Sequence, residues 1–193
     1  AYLFIKAHPH PFGDRILAEL RGVMDEAGNA PFWDGLAGRF FDITSPEAHL
    51  YNAIHSTQFI ADLMPKTPIY VSLLNEAARA VMGLPHPTGR AALRMLEDEG
   101  FTFDRYIDIF DGGPTVTARI DDLRTVDESA EETIAEIAPG GKTKTLVAHG
   151  RLKEFAACFA SVKRVGRQGI CIDPEAAELL GVKEGDKVLA VKR

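Results

Sequence analysis

The hydrophobic pattern changes its period at Gly100, and this change constrains the fold more than any other feature of the sequence. Before it, apolar residues recur at helical spacing over 92–96, and Thr88 is a candidate N-cap. After it, apolar and polar residues alternate over 101–111, as is typical of a strand, until a Gly-Gly-Pro turn ends the pattern. With an antiparallel partner strand predicted over 116–120, the sequence indicates a mixed α+β fold.

Weaker local signals precede this change of period. They are Pro and Gly punctuation, side chains able to cap helices, and short periodic runs. They predict a strand over 15–21, a short helix over 31–41 carrying Trp33 into the core, a short helix capped by the hydroxyl of Ser45, a strand over 69–73, and a helix from Asn75 to Gly83.

Acidic residues dominate the segment 121–138, with seven acids and Arg124 as its one base. We therefore predict a solvated acidic connection over 127–141 between a first domain, 1–126, and a small β-rich unit, 142–193. The elements predicted for that unit are short strands over 146–148, 156–162, 170–172 and 187–191 and a helical turn over 174–180 ended by Gly181.

Composition excludes several classes of protein. The net charge of -6, from 22 Lys and Arg against 28 Asp and Glu, disfavours binding of nucleic acid through a basic surface. Cys158 and Cys171 lie among apolar residues without ligand spacing, so we expect reduced core thiols and no metal site. No apolar run reaches the roughly 18 residues of a membrane span, and we expect a cytoplasmic protein.

The chain begins with Ala1 and an apolar segment, Tyr2 to Ile5, which lacks the basic flank of a signal peptide. Such a segment needs neighbours to cover it. We therefore expect that an upstream part of the protein is missing from this chain.

Histidine is the side chain best suited to proton transfer near neutral pH. His8 and His10 alternate with prolines, and we assign them packing or surface roles because two histidines alone make a poor metal site. His86 lies in a Gly-Leu-Pro-His-Pro loop between two predicted helices, where flanking prolines restrict the backbone. On these residues alone His86 is either an ordinary loop histidine or a catalytic group.

Acidic side chains at strand ends are the other candidates for a site. Asp25 and Glu26 follow the first predicted strand, and Asp108 and Asp111 precede the Gly-Gly-Pro turn. Being three residues apart, Asp108 and Asp111 share a face only if the turn bends Asp111 around. The alternative is a turn in which Asp111 bonds to the backbone of Gly113.

Several strings together resemble the arginine N-succinyltransferase family, which includes arginine/ornithine succinyltransferases. They are AELRGVMDEAGNAPFWDGLAGRFF (18–41), FIADLMPKTPIY (59–70), GLPHP (83–87) and EGFTFDRYIDIFDGGPT (99–115). The resemblance implies a mixed sheet with flanking helices, like that of the Gcn5-related acyltransferases, beside the small β-rich unit. It also implies transfer of succinyl from succinyl-CoA to the α-amine of L-arginine in arginine catabolism, with His86 as the proton donor.

The resemblance leaves the CoA contacts unassigned. Acyltransferases of this fold bind the pyrophosphate of CoA through a glycine-rich loop at a helix N-terminus. The nearest string, RVGRQG over 164–169, lacks the glycine spacing. We expect succinyl-CoA to act as a co-substrate, no cofactor to be bound permanently, and the CoA-binding half to come from an upstream region or a related subunit in a homo- or hetero-oligomer.

For the substrate arginine, carboxylates are the obvious partners of a guanidinium. We nominate Asp108 and Asp111, followed by Asp25 and Glu26. Three alternatives stay open: an ornithine-preferring or dual-specific subunit, a non-catalytic partner subunit, and, from a tail that resembles swapped-hairpin units of transcription regulators, a DNA-binding protein. The net charge of -1 over 170–193 disfavours the last and suggests a structural or oligomer-forming appendage.

Overall fold

The computed structural model describes residues 1–192 and divides them into two compact units, 16–118 and 1–15 with 119–192. The helices are α1 (Tyr2–Ala7), α2 (Pro31–Gly35), α3 (Gly38–Phe41), α4 (Ser45–His55), α5 (Gln58–Leu63), α6 (Glu76–Val81), α7 (Arg90–Glu99), α8 (Arg124–Glu128) and α9 (Pro174–Leu180). The strands are β1 (Arg15–Glu19), β2 (Thr102–Ile107), β3 (Pro114–Arg119), β4 (Ala130–Ile137), β5 (Thr143–His149), β6 (Ala156–Val165), β7 (Gly169–Ile172) and β8 (Lys187–Lys192). The α+β prediction is confirmed.

The unit 16–118 contains an open sheet in the order β1-β3-β2. As predicted, β2 and β3 pair antiparallel, with Phe103 opposite Val116. Val116 is fully buried, but Phe103 is 45% and Tyr106 is 68% exposed. β2 therefore lies at the edge of the sheet with most of its side chains exposed, and an irregularity between Phe103 and Tyr106 interrupts its register. Only three strands form this sheet, fewer than the mixed acyltransferase-like sheet that the resemblance implies.

The core of the same unit lies around Trp33, which is fully buried as predicted. Its ring stacks on Phe110 and Phe41, and its Nε1 donates to the carbonyl of Ile43. The helix predicted over 31–41 is two helices, α2 and α3, because the backbone at Leu36 leaves the helical region.

Of the other local predictions for this unit, one is confirmed and two are wrong at least in part. Asn75 caps α6 as predicted, accepting from the Ala78 amide at 2.8 Å. The cap of α4 is Thr44, in a reciprocal pair with Glu47, and not Ser45; the helix runs 11 residues, longer than expected. The strand predicted over 69–73 is wrong, since Val71–Leu73 form an exposed 3₁₀ turn without a neighbouring strand.

Around α7 one prediction held and one failed. Gly100 ends the helix in the left-handed region, at φ 111°, as the sequence predicts. The predicted cap Thr88 lies instead in a 3₁₀ turn before the helix, where it contacts His86.

The second unit is a closed barrel in the order β4-β7-β6-β5-β8. It is β-rich as predicted, but it also takes in residues 1–15 and 119–141, which the sequence analysis assigned to the first domain and to a connection. All four predicted strands are present, and α9 begins and ends where predicted. Its cap is Asp173, and Gly181 adopts the left-handed C-cap. The predicted unit ended at Arg193, which lies outside the described residues.

The acidic connection predicted over 127–141 is wrong where it overlaps β4. This strand pairs parallel with β7 and antiparallel with β8, and its Ile134 is fully buried. The acids pair across strands, the exposed Glu131 with Lys187 and the largely buried Glu132 with Arg164. The Glu131 carboxylate raises the pKa of Lys187 through a 2.6 Å hydrogen bond and its charge.

The N-terminal segment belongs to the barrel unit. Leu3 of α1 packs against Ala148 and Val191, and Lys6 donates to the carbonyls of Val126 and Ser129. Leu3 is 2% and Ile5 is 7% exposed, so this chain itself covers the apolar opening. Cys158 and Cys171 are free thiols, and burial is the main cause that raises the pKa of Cys158. Among residues 1–192, no helix has the length and hydropathy to cross a bilayer.

Candidate functional site

The loop that carries His86 is fixed to the backbone on both sides. The His86 amide donates to the Arg21 carbonyl at 2.7 Å, and the Gly83 amide donates to the Gly112 carbonyl at 2.8 Å. Gly83 has φ 72°, a conformation that favours glycine. Because hydrogen bonds to two distant segments hold this loop, the position of the imidazole is set by the fold of the whole unit.

The imidazole of His86 is itself oriented through one ring nitrogen. Nδ1 lies 2.8 Å from Thr88 Oγ1 and 3.3 Å from the Thr88 amide nitrogen. Within residues 1–192 the structure gives Nε2 no hydrogen-bond partner. The residue is partly buried. Because Nδ1 already contacts Thr88, Nε2 is the ring nitrogen that is free to contact a ligand.

Asp111 clamps two neighbouring backbone segments together. Its carboxylate accepts from the Gly22 amide at 2.7 Å and the Gly113 amide at 2.8 Å, and the residue is buried. A Cβ at Gly22 would collide with the Asp111 carbonyl, so glycine is needed for this close approach. Both carboxylate oxygens of Asp111 accept hydrogen bonds from backbone amides. This is the alternative given from the sequence, a turn in which Asp111 bonds to the backbone of Gly113. Its nomination as a guanidinium partner stays a prediction that these contacts do not favour.

Asp108 lies beside Asp111 in a cleft of about 330 Å³. The turn does bend the two acids together, because Asp108 Oδ1 accepts from the Phe110 amide at 2.7 Å and the Asp111 amide at 3.3 Å. The structure gives Asp108 Oδ2 no hydrogen bond within the described chain. The cleft is lined by Glu19, Leu20, Arg21, His49, Asn52, Asp108, Phe110 and Asp111. Arg21 therefore connects the cleft to the His86 loop.

Two residues that line the cleft, His49 and Asn52, were not predicted as site residues from the sequence. The His49 ring stacks on Phe110, with centroids 4.5 Å apart. The Asn52 Oδ1 atom is buried without a hydrogen-bond partner. The two residues are three apart on α4 and therefore lie on one helix face. That spacing was the available signal, but it required the true length of α4.

Asp25 and Glu26 lie apart from this cleft, so the structure does not bring them to Asp108. Asp25 closes a turn by accepting from the amide and the side chain of Asn29, both at 2.8 Å. These bonds, the side-chain bond first, lower the pKa of Asp25. Glu26 is exposed, and its contact with a guanidinium stays a prediction.

The remaining candidates belong to the barrel unit. His8 packs on Phe4, and its Nδ1 donates to the Phe4 carbonyl while its Nε2 accepts from the Leu152 amide. Its packing role is confirmed. RVGRQG (164–169) forms the β6–β7 hairpin and not a helix N-terminus, so it is no phosphate-binding loop of the expected kind. Among residues 1–192, no three His, Cys, Asp or Glu side chains are grouped so that they could hold a metal.

The chain matches two models of known protein families. Residues 1–125 match the family model described as arginine N-succinyltransferase beta subunit, and residues 129–192 match that of its C-terminal domain. The chain belongs to the arginine N-succinyltransferase family. The predicted resemblance is thus confirmed.

Relatives in this family are longer than the chain. It is 38% identical to arginine N-succinyltransferase subunit beta and 40% identical to subunit alpha of Pseudomonas aeruginosa, each across 98% of this chain and 56% of the relative. Arginine N-succinyltransferase of Yersinia pestis is 39% identical with the same coverage. The chain therefore spans about half the length of the curated relatives it matches.

A solved structure also resembles this chain. It is arginine/ornithine succinyltransferase subunit AI of Pseudomonas aeruginosa, with a TM-score of 0.81 and 36% identity. The similarity covers 99% of this chain and 55% of that one. The fold described above is therefore a fold of this family.

Proposed function

We propose that this protein supplies the proton-transfer group and the arginine pocket of an enzyme that moves succinyl from succinyl-CoA to the α-amine of L-arginine in arginine catabolism. Family membership supports the reaction type. The observation that carries the proposal is the fixed imidazole of His86, held by the Arg21 backbone that also lines the Asp108 cleft.

In the proposed reaction the deprotonated α-amine attacks the thioester carbonyl carbon of succinyl-CoA. A C–N bond forms, the C–S bond breaks, and the products are N2-succinylarginine and CoA. The leaving thiolate belongs to a thiol with an ordinary pKa of about 8.5, so an imidazolium donor placed at the sulfur assists its departure. His86 Nε2 donates this proton, and the proton lost by the amine nitrogen restores the imidazolium.

Thr88 supports this proton exchange in both states of the ring. Nδ1 stays protonated while Nε2 gains and loses its proton, so Nδ1–H can donate to the Thr88 hydroxyl at the 2.8 Å contact in both states. Nδ1 thus keeps a partner whether or not the ring is charged, and Nε2 is left for the substrate.

The second half of the proposal concerns a partner. We place the CoA contacts on a related polypeptide, either an upstream region or another subunit, which would also complete an acyltransferase-like sheet. Two observations support this: the relatives are longer, and two of them are named as alpha and beta subunits. The exposed Phe103 and Tyr106 on β2 are apolar surface that such a partner could cover.

An ornithine-preferring enzyme is the second candidate, because the similar solved structure is titled an arginine/ornithine succinyltransferase subunit. Competition between the two amino acids for limiting succinyl-CoA separates the candidates. A non-catalytic subunit would instead leave activity unchanged when His86 is replaced.

The deciding experiment replaces His86 by Ala in the enzyme assembled as it occurs. We expect turnover to fall by about 10² to 10⁴, as for loss of a general acid, with the melting temperature preserved. His10→Ala is the matched control, because His10 also lies between two prolines but is exposed in the other unit. Near-normal turnover of the His86→Ala enzyme would end the proposed role.

A further inference from the structure

The barrel unit contains a cavity of about 760 Å³. Residues from all five strands of the barrel line it, so the cavity lies on the barrel axis. Further along that axis Ile134, Val147 and Ile172 are fully buried and fill the interior with apolar side chains. The cavity is therefore the open mouth of a filled barrel, and barrel mouths are a recurrent place for small-molecule sites.

The register of the strands shows which charged side chains point into the mouth. Directly opposed residues of an antiparallel pair lie on the same face of the sheet. Arg164 is opposite Ile170, and Lys192 is opposite Thr145. Ile170 and Thr145 are buried and line the cavity. Arg164 and Lys192 therefore lie on the inner face of the barrel, at its open end.

The floor of the mouth is mostly apolar. Val162, Ile170 and Ala190 line it, and all three belong to the barrel core or pack against it. Thr145 adds a hydroxyl, which donates to the Thr143 carbonyl at 3.3 Å. A ligand with an organic body covers such a floor, whereas a bare inorganic ion leaves it exposed to water.

The charge of the mouth favours an anion. The charged side chains in its lining are Lys142, Lys163, Arg164 and Lys192 with Glu128 and Glu132. Glu132 is largely buried and pairs with Arg164. Within residues 1–192 the structure gives the three lysine ammonium groups no hydrogen bond or ion pair, so they outnumber the one unpaired carboxylate, that of Glu128. This local excess of positive charge is opposite in sign to the net charge of -6 of the whole sequence.

We propose that the barrel mouth binds a small organic dianion, either a dicarboxylate or a nucleoside phosphate. Arg164 and Lys192 bind its charged groups, with Lys142 beside them, and its body lies on Val162 and Ile170. A guanidinium has five N–H donors, so the pair with Glu132 fixes the position of Arg164 and leaves donors for an oxyanion. This inference goes beyond the proposed function and does not depend on it, because every residue involved belongs to the barrel unit.

The test titrates the assembled enzyme with two probes, glutarate for the dicarboxylates and UDP for the nucleoside phosphates. We expect one of them to bind with a Kd below about 1 mM by calorimetry. In methyl NMR spectra the resonances of Val162 and Ile170 should then shift, and that of Ile5 in α1 should not. The probe that binds more tightly identifies the class of ligand, and failure of both probes to shift Ile170 overturns the proposal. Turnover is not measured, so an enzyme inactive toward arginine leaves this result unaffected.

Two lysines of the mouth provide the charge test. Lys142→Gln combined with Lys192→Gln should raise the Kd of the better probe by about tenfold or more, because charge-assisted contacts are lost. The matched control is Lys153→Gln combined with Lys183→Gln, since both lysines are exposed in the same unit and neither lines the cavity. The control should change the Kd by less than about twofold. Equal weakening in both double variants would mean that the probe responds only to overall charge, and would overturn the site.

The apolar floor has a test of its own. Ala190→Leu places a larger side chain in the mouth without changing its charge, and the Kd should rise by about tenfold or more. Sulfate is the matching control ligand, an anion of the same charge without an organic body. If sulfate binds as tightly as the better probe, the floor contributes nothing and the proposal fails. Should Ala190→Leu not fold, the sulfate comparison and the exposed lysine variants still decide the outcome.

Discussion

The two units of this protein differ in whether their sheets have unpaired edge strands. Every strand of the barrel pairs on both sides, and β4 closes it by pairing with β7 and β8. In the open sheet β2 pairs only with β3 and is exposed along most of its length. A closed sheet satisfies its own backbone, whereas an open edge leaves donors, acceptors and apolar side chains uncovered. The candidate site lies in the open unit.

Exposed aromatic rings illustrate the difference. On the barrel, Phe159 is 54% exposed, but the ammonium of Lys144 covers its ring at 4.3 Å. In the open unit Tyr106 is 68% exposed on the edge strand. In this pair of examples the barrel covers an exposed ring with its own side chain, whereas the edge strand of the open unit leaves its ring to solvent.

The largest expected effect breaks the open unit alone. Gly22→Ala forces a Cβ into the Asp111 carbonyl, so we expect the free energy of unfolding of this unit to fall by about 3 kcal/mol or more. The hydrogen bonds that join Asp111 to the backbone of Gly22 and Gly113 should break. Trp33 is the one tryptophan of the sequence and lies in this unit, so its fluorescence reports this unfolding separately from the barrel.

Gly13→Ala is the control for that substitution, because nothing lies within 4 Å of a Cβ there and the residue belongs to the barrel unit. A Gly22→Ala protein with wild-type Trp33 fluorescence and melting would show that the clamp tolerates a side chain.

A middle-sized effect sharpens the role of the His86 loop. Thr88→Val removes the hydroxyl that partners Nδ1, and we expect turnover to fall by about tenfold while KM values stay within about twofold. Thr88→Ser keeps the hydroxyl and should restore turnover. The ¹⁵N chemical shifts of His86 provide a second readout, since Nδ1 should shift in the Val variant and return in the Ser variant. Equal turnover of the two variants would remove Thr88 from the mechanism.

The smallest effect concerns an ion pair on the outer face of the barrel. The pKa of Lys187 is raised by Glu131, so this pair stabilises the fold below the ordinary lysine pKa of 10.5, and the contribution is lost as the pH rises through the raised value. Both side chains are exposed, so Lys187→Met should lower the melting temperature at pH 8 by no more than about 2 °C. At a pH well above 11 the two proteins should melt alike, and a difference that persists there would exclude this cause.

Local signals predicted the barrel better than the open unit. Asp173, Pro174 and Gly181 mark α9 by capping chemistry, which depends on neighbouring residues only. β4 was missed because its acids suggested a loop, and their cross-strand partners Arg164 and Lys187 become visible only in the folded sheet. The segment 69–73 has strand-forming residues, but no neighbouring strand is available to pair with it.

The candidate site was predictable only in part. Prolines around His86 indicated a rigid loop, and the family resemblance assigned its role. Asp108 was nominated from its place at a strand end, and the structure places it in a cleft. Asn52 could not be found this way, because a carbonyl oxygen without a partner is a property of tertiary packing.

The bond from the Gly22 amide to Asp111 joins residues 89 positions apart, and the bond from His86 to Arg21 joins the same stretch to a third segment. The position of the imidazole thus depends on a segment that is synthesised well before it, around Gly22, and on a segment that follows it, around Asp111. A fragment cut anywhere between positions 22 and 86 would separate the support from the group that it holds. Rejoining such halves in trans would reveal whether the geometry of the site can be rebuilt without a continuous backbone.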